Sequence, residues 1–164
     1  LEASDLDLLF SVENDPQFWE ISNTLAPYSK QVLSQYLNNA HLDIFEVKQL
    51  RLVITQKKDD TVLGLIDLFD FNPHHKKAGI GILILKKFQQ NSLGENALKV
   101  FVHYAFEHLD LHQLYANISL NNESSLHLFE KLNFSRVGIQ KDWLKVKGAY
   151  KDVVLLQLIN PDHS

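Results

Sequence analysis

A strand, a short polar loop and a long helix follow one another between Ala78 and Leu109, and this succession restricts the fold more than any other stretch. Residues 78–85 read AGIGILIL, an apolar run of strand length with isoleucine at every second position from Ile80. That spacing predicts a buried strand. Residues 95–109 place Ala97, Leu98, Phe101, Val102, Ala105, Phe106 and Leu109 on one wide apolar face at helical spacing. The loop between them ends in Leu93-Gly94, directly before the helix. A helix start carries unpaired N–H groups and a positive dipole end, so an anion can settle there when no bulky side chain blocks it. Such a unit either holds phosphate or simply joins a strand to a helix, and spacing does not separate the two.

The rest of the chain predicts one domain over 1–164. Ser4-Asp5-Leu6-Asp7 starts a helix that Asn14-Asp15-Pro16 ends; Ser29 caps a second that Asn38-Asn39 closes. Between them, residues 17–27 are rich in aromatic and polar side chains, with Phe18, Trp19 and Glu20. From Leu50 the period becomes that of strands: 50–56, a turn at 57–60, then 62–71. After the long helix come a strand at 113–118 and a helix at 123–132, with Asn133 as its left-handed stop. Two strands, 135–146 and 149–159, join near Gly148. The order ααβββαβαββ predicts an α/β (α+β) fold, a mixed and mainly antiparallel twisted sheet with helices on both faces.

Composition excludes several chemistries. A chain with no cysteine has no disulfide framework, thiol nucleophile or thiolate metal site. No apolar run reaches membrane-spanning length and no signal-peptide pattern opens the chain, so no membrane association and a cytoplasmic location are expected. No basic stripe interleaved with aromatics marks a nucleic-acid surface. Among eight histidines, His74-His75 sit on a turn, and the spacing of His103, His108 and His112 does not complete a ligand set; no metal is expected. Gly79 and Gly81 lie inside a strand rather than at its exit, unlike a dinucleotide fingerprint. The net charge of -4 is uneven: residues 1–47 hold eight acids against Lys30 alone, and the remainder holds fifteen bases and twelve acids. This pattern describes two solvated faces, or a basic portion for an anionic cofactor beside an acidic portion for a cationic substrate.

Two motifs and the element order carry a family resemblance. Gln89-Gln90-Asn91-Ser92-Leu93-Gly94 is similar to the Q/R-x-x-G-x-G/A pyrophosphate loop of the GNAT N-acetyltransferases, with Ser92 for the first glycine. Asn122 to Phe134, NESSLHLFEKLNF, resembles that family's N-x-x-S-x-x-L-Y-E-K-x-G-F helix, with Phe129 for tyrosine and Asn133 for glycine. Gly64 to Leu68 stands at the expected place before the central strand. The resemblance runs over essentially the whole chain, nearest the spermidine and ribosomal-protein N-terminal acetyltransferases, with the first strand of the fold short or missing. It implies acetyl-CoA as co-substrate, held along Leu83, Ile84 and Leu85, on the amides of Gln89, Gln90, Asn91, Ser92, Leu93, Gly94 and Glu95, and by Asn122, Ser125 and Phe129. Lys131 is either a phosphate contact or a surface lysine. The implied acceptor is a small-molecule amine or a protein N-terminus, and the last strands are implied as a homodimer contact.

Acetyl transfer needs an amine freed of its proton, attack on the thioester and a proton for the departing thiolate. The family's proton-donating tyrosine is replaced by Phe129, leaving water, Tyr104 or Tyr115. The glutamate of spermidine acetyltransferases early in the central strand is replaced by Gly79. Candidate bases are Asp67, Asp70 and Glu20. In a regular strand, Asp67 and Asp70 face opposite sides unless a bulge intervenes. A second reading of these replacements is an acyl-CoA-binding protein without turnover.

Overall fold

Alternating apolar residues draw six strands into one sheet ordered β1-β2-β3-β4-β6-β5 in the computed structural model, which describes residues 1–22, 24–89 and 92–163. The strands are β1 (Leu50–Thr55), β2 (Val62–Asn72), β3 (Lys77–Ile84), β4 (Gln113–Ser119), β5 (Ser135–Val146) and β6 (Ala149–Ile159). The helices are α1 (Leu6–Glu13), α2 (Pro16–Ser22), α3 (Lys30–Asn38), α4 (Ile44–Val47), α5 (Leu93–Glu107) and α6 (Glu123–Lys131). Every strand pairing is antiparallel except β3 with β4. Two helices join the expected order. Pro16 ends α1 and also opens α2, because its fixed φ and missing N–H suit a first helical position. Asp43 and Glu46 form a capping box around α4.

Side chains of β2 divide between two cores. Ile66 and Leu68 join Leu98, Phe101 and Ala105 of α5 and Leu126 and Phe129 of α6. Leu65 faces the other way, onto Leu9 and Val12 of α1, Phe18 of α2 and Leu33 and Leu37 of α3. The sheet therefore has helices on both faces. A register irregularity after Phe69, with Asp70 at φ 50°, resets the alternation so that Phe71 returns to the α5 core. Asn133, at φ 66°, stops α6 in the left-handed region.

One seam of the sheet is short. β3 and β4 pair only at Lys77–Gln113, Ala78–Leu114 and Gly79–Tyr115. Beyond these three pairs the strands run on to Ile84 and Ser119 without pairing each other, so their facing main-chain groups need other partners.

Candidate active site

The open seam leads into a cavity of 610 Å³, walled by Ile80 to Leu83 of β3, Asn117 to Ser119 of β4 and the start of α6. Its other wall comes from α1, α2 and the β1–β2 hairpin, with Trp143, Leu144, Lys151 and Val153 closing the side toward β5 and β6. Phe69 forms part of the floor. A Cβ placed on Gly79 would lie 2.1 Å from the Phe69 ring, so glycine there is what lets the aromatic lie flat over the strand.

Three ion pairs among the described residues, two of them sharing Arg51, line this cavity. Arg51 Nε donates to Asp67 Oδ1 at 2.6 Å, Arg51 Nη2 donates to Asp67 Oδ2 at 3.3 Å, and Nη1 donates to Glu13 Oε1 at 2.6 Å. Burial pushes the Asp67 carboxyl above its usual range, Arg51 partly reverses this, and the Glu13 charge adds to it. Across the cavity, Lys151 Nζ donates to both oxygens of Glu20 at 2.8 Å, tying α2 to β6. The bulge turns Asp70 away from this constellation: its carboxylate accepts from Tyr115 Oη at 3.2 Å, and neither residue lines the cavity. The Tyr115 hydroxyl is pushed up to about 12 by burial and by Asp70 beside it. Tyr104 lies on α5, stacked on Phe101 6.0 Å away. The structure thus brings Asp67 and Glu20 to the cavity, each with a cationic partner, and leaves Asp70, Tyr104 and Tyr115 outside it.

Of the residues expected on the cofactor, Leu83, Asn122, Ser125 and Phe129 line the cavity, while Ile84, Leu85, Gln89 and Ser92 to Glu95 do not. Asn122 caps α6, its side chain accepting from the Ser125 amide. Phe129 is buried edge-on against Phe134, with ring centroids 5.0 Å apart. Gln89 Nε2 donates to the Ile84 carbonyl at 2.9 Å and closes the end of β3. Ser92 keeps an ordinary φ of −66° at the cap of α5 and gives that helix no side-chain hydrogen bond. A Cβ on Gly94 would lie 3.3 Å from Ile84, so the first turn of α5 presses closely on the strand end. Lys131 is paired with Glu95 at 3.0 Å, which ties α6 to that same turn. Gln90 and Asn91 lie outside the described residues.

Among the cavity-wall residues that the sequence did not single out are Arg51, Lys151, Phe69 and Ser119. The Ser119 hydroxyl is buried and has no hydrogen-bond partner among the described residues. At the opposite end of β3 and β4, His74, His75, Lys76, Asp110, His112 and His163 border a shallow hollow. Among the described residues no group of three or more His, Cys, Asp or Glu is arranged to hold a metal ion, and no helix is long and apolar enough to cross a membrane.

Comparison with known proteins gives a consistent picture. The family model described as "Acetyltransferase (GNAT) domain" matches residues 1–135. The spermidine N(1)-acetyltransferase of Escherichia coli K12 is 27% identical over 157 residues, covering 94% of this chain and 80% of that protein. A putative ribosomal N-acetyltransferase of Bacillus subtilis is 31% identical over 101 residues, covering 62% of this chain and 55% of the relative. The fold superposes with a TM-score of 0.87 on the spermidine N-acetyltransferase of Vibrio cholerae solved with CoA and spermine, at 24% identity, covering 97% of this chain and 92% of that one. That protein has also been solved as a dodecamer.

Proposed function

The chain belongs to the GNAT family of acetyltransferases, and on that premise we propose that it acetylates a primary amine of a cationic, polyamine-like molecule. It is an acetyl-CoA-dependent N-acetyltransferase. The observation that carries the acceptor reading is the placement of Glu13, Glu20 and Asp67 around one cavity at the open seam. Three carboxylates there attract an alkylammonium, and the names of the similar spermidine acetyltransferases agree with that chemistry. A protein N-terminus is the second acceptor class, supported by the ribosomal relative.

The residues present fit the co-substrate. Main-chain groups of β3 and β4 that do not pair across the seam can bond the amides of an extended pantetheine arm, and Ser119 lines the same opening. Leu83, Ile84, Leu85, Asn122 and Ser125 would hold that arm, and the first turn of α5 with Gln89 to Glu95 would take the diphosphate. Acetyl-CoA supplies the activated acyl group; the rest is positioning by the protein, which can account for much of the rate. Asp67 serves as proton acceptor for the ammonium, directly or through one water, because burial gives its carboxyl a raised affinity for protons. Phe129 can donate no proton, so protonation of the departing thiolate falls to water. Glu20 binds rather than reacts. The reading further places the enzyme in the cytoplasm as a homo-oligomer. The exposed apolar Val137, Ile139 and Trp143 of the edge strand β5 and Tyr150 of β6 supply a surface for a second copy.

The test is thiol release from acetyl-CoA with a panel of amines: polyamines, simple alkylamines and a basic peptide N-terminus. Turnover highest with the polyamines supports the reading. Turnover with the peptide alone replaces it by the second acceptor class, and release with none sinks both.

A further inference from the structure

The Glu20–Lys151 pair has a geometry that a surface salt bridge does not need. One ammonium sits equidistant, at 2.8 Å, from both oxygens of one carboxylate. The two residues are about three-quarters covered, with side chains 29% and 25% exposed, and they face each other across the cavity from α2 and β6. Among the described residues Lys151 pairs with Glu20. The next residue, Asp152, is taken up by Lys141 at 2.8 Å and by the Asp142 amide at 2.9 Å. The irregularity of β5 between Gln140 and Leu144 sets Trp143 and Leu144 beside Lys151 on the cavity wall.

We infer that Lys151 is an internal substitute for the acceptor's second ammonium, and that Glu20 selects diamines and polyamines by exchanging one alkylammonium for another. This rests on the amine-acceptor reading above and narrows it. Lysine ends in a primary ammonium on a flexible four-carbon stem, the same group that ends a polyamine. An incoming dication can therefore take Glu20 without leaving the carboxylate unpaired, while the Lys151 side chain swings toward solvent. Charge balance agrees. With Lys151 latched, the cavity wall carries Glu13, Glu20 and Asp67 against Arg51 and Lys151, one net negative charge and suited to a monocation. With Lys151 withdrawn, the wall carries two net negative charges and suits a dication. Arg51 does not give way in the same manner, since its guanidinium is shared between Asp67 and Glu13.

The experiment compares kcat/KM for 1,4-diaminobutane with that for butylamine in the full chain and in Lys151→Met, Lys151→Arg and Glu20→Gln, each confirmed folded by its thermal melt. Removing the internal ammonium in Lys151→Met raises the diamine-to-monoamine ratio about tenfold, as an intramolecular competitor disappears. Lys151→Arg lowers the ratio, because a guanidinium grips the carboxylate at two points. Glu20→Gln brings the ratio toward one. An unchanged ratio in Lys151→Met, or shifts of the same sign in Lys151→Met and Lys151→Arg, overturns the exchange while leaving amine acetylation intact. No thiol release with either amine in the parent chain overturns the amine-acceptor reading and this inference together.

Discussion

Gly79 and Asp67 show how single positions set the chemistry of the cavity. Replacing Gly79 by alanine drives a methyl into the Phe69 ring, 2.1 Å away, and the ring is also held edge-on by Tyr115 with centroids 5.8 Å apart. Overpacking of this kind costs about 1–3 kcal/mol; a urea melt of Gly79→Ala should show a loss in that range, and an unchanged midpoint would mean that Phe69 moves freely. Asp67 makes a prediction about pH. Its folded pKa is raised by burial, so folding favours the protonated form, and its contribution to stability is complete below the unfolded pKa of about 3.9. That contribution is lost as pH rises through the folded value. The melting temperature of the parent chain minus that of Asp67→Asn should therefore shrink as pH is raised above about 4. A difference that grows instead would show that Arg51 outweighs burial.

Among the elements, α4 is the one most dependent on its cap. Asp43 Oδ1 accepts from the amides of Phe45 and Glu46, and the Glu46 side chain accepts from the Asp43 amide. Asp43→Ala should cost about 1 kcal/mol, measured by denaturant unfolding. A smaller loss would mean that Ile44, packed in the α5 core, holds the helix unaided. The D-x-x-E pattern was present in the sequence but preceded only a short apolar run. The last two strands were more legible: β5 and β6, joined near Gly148, occupy the predicted 135–146 and 149–159. The cavity was less so. A hairpin turning about residues 57–60 without irregularity would set Arg51 opposite Ile66, yet the register slips between Ile54 and Thr55 and sets it opposite Asp67. Lys151 meets Glu20 across 131 residues, and no local pattern announces such a contact. Phe69 and Gly79 are cross-strand partners in β2 and β3, so their packing became visible only with the register.

At the scale of the molecule, the sheet is two three-stranded halves, β1-β2-β3 and β4-β6-β5, stitched by three residue pairs. A ligand that bridges the halves should stabilise the whole. Acetyl-CoA at a hundred times its dissociation constant adds about 2.7 kcal/mol if it binds only the folded state. A thermal melt should rise accordingly, with slowed amide exchange along Ile80 to Ile84; a rise without that protection would place the ligand elsewhere. The same three-pair seam has a cost in handling. Half of β3 does not pair with β4 and is a template onto which an extended peptide, including a neighbour's, can zip its own backbone. Preparations freed of nucleotide should cloud on warming sooner than loaded ones, because the missing partner of that strand arrives from solution rather than from the gene.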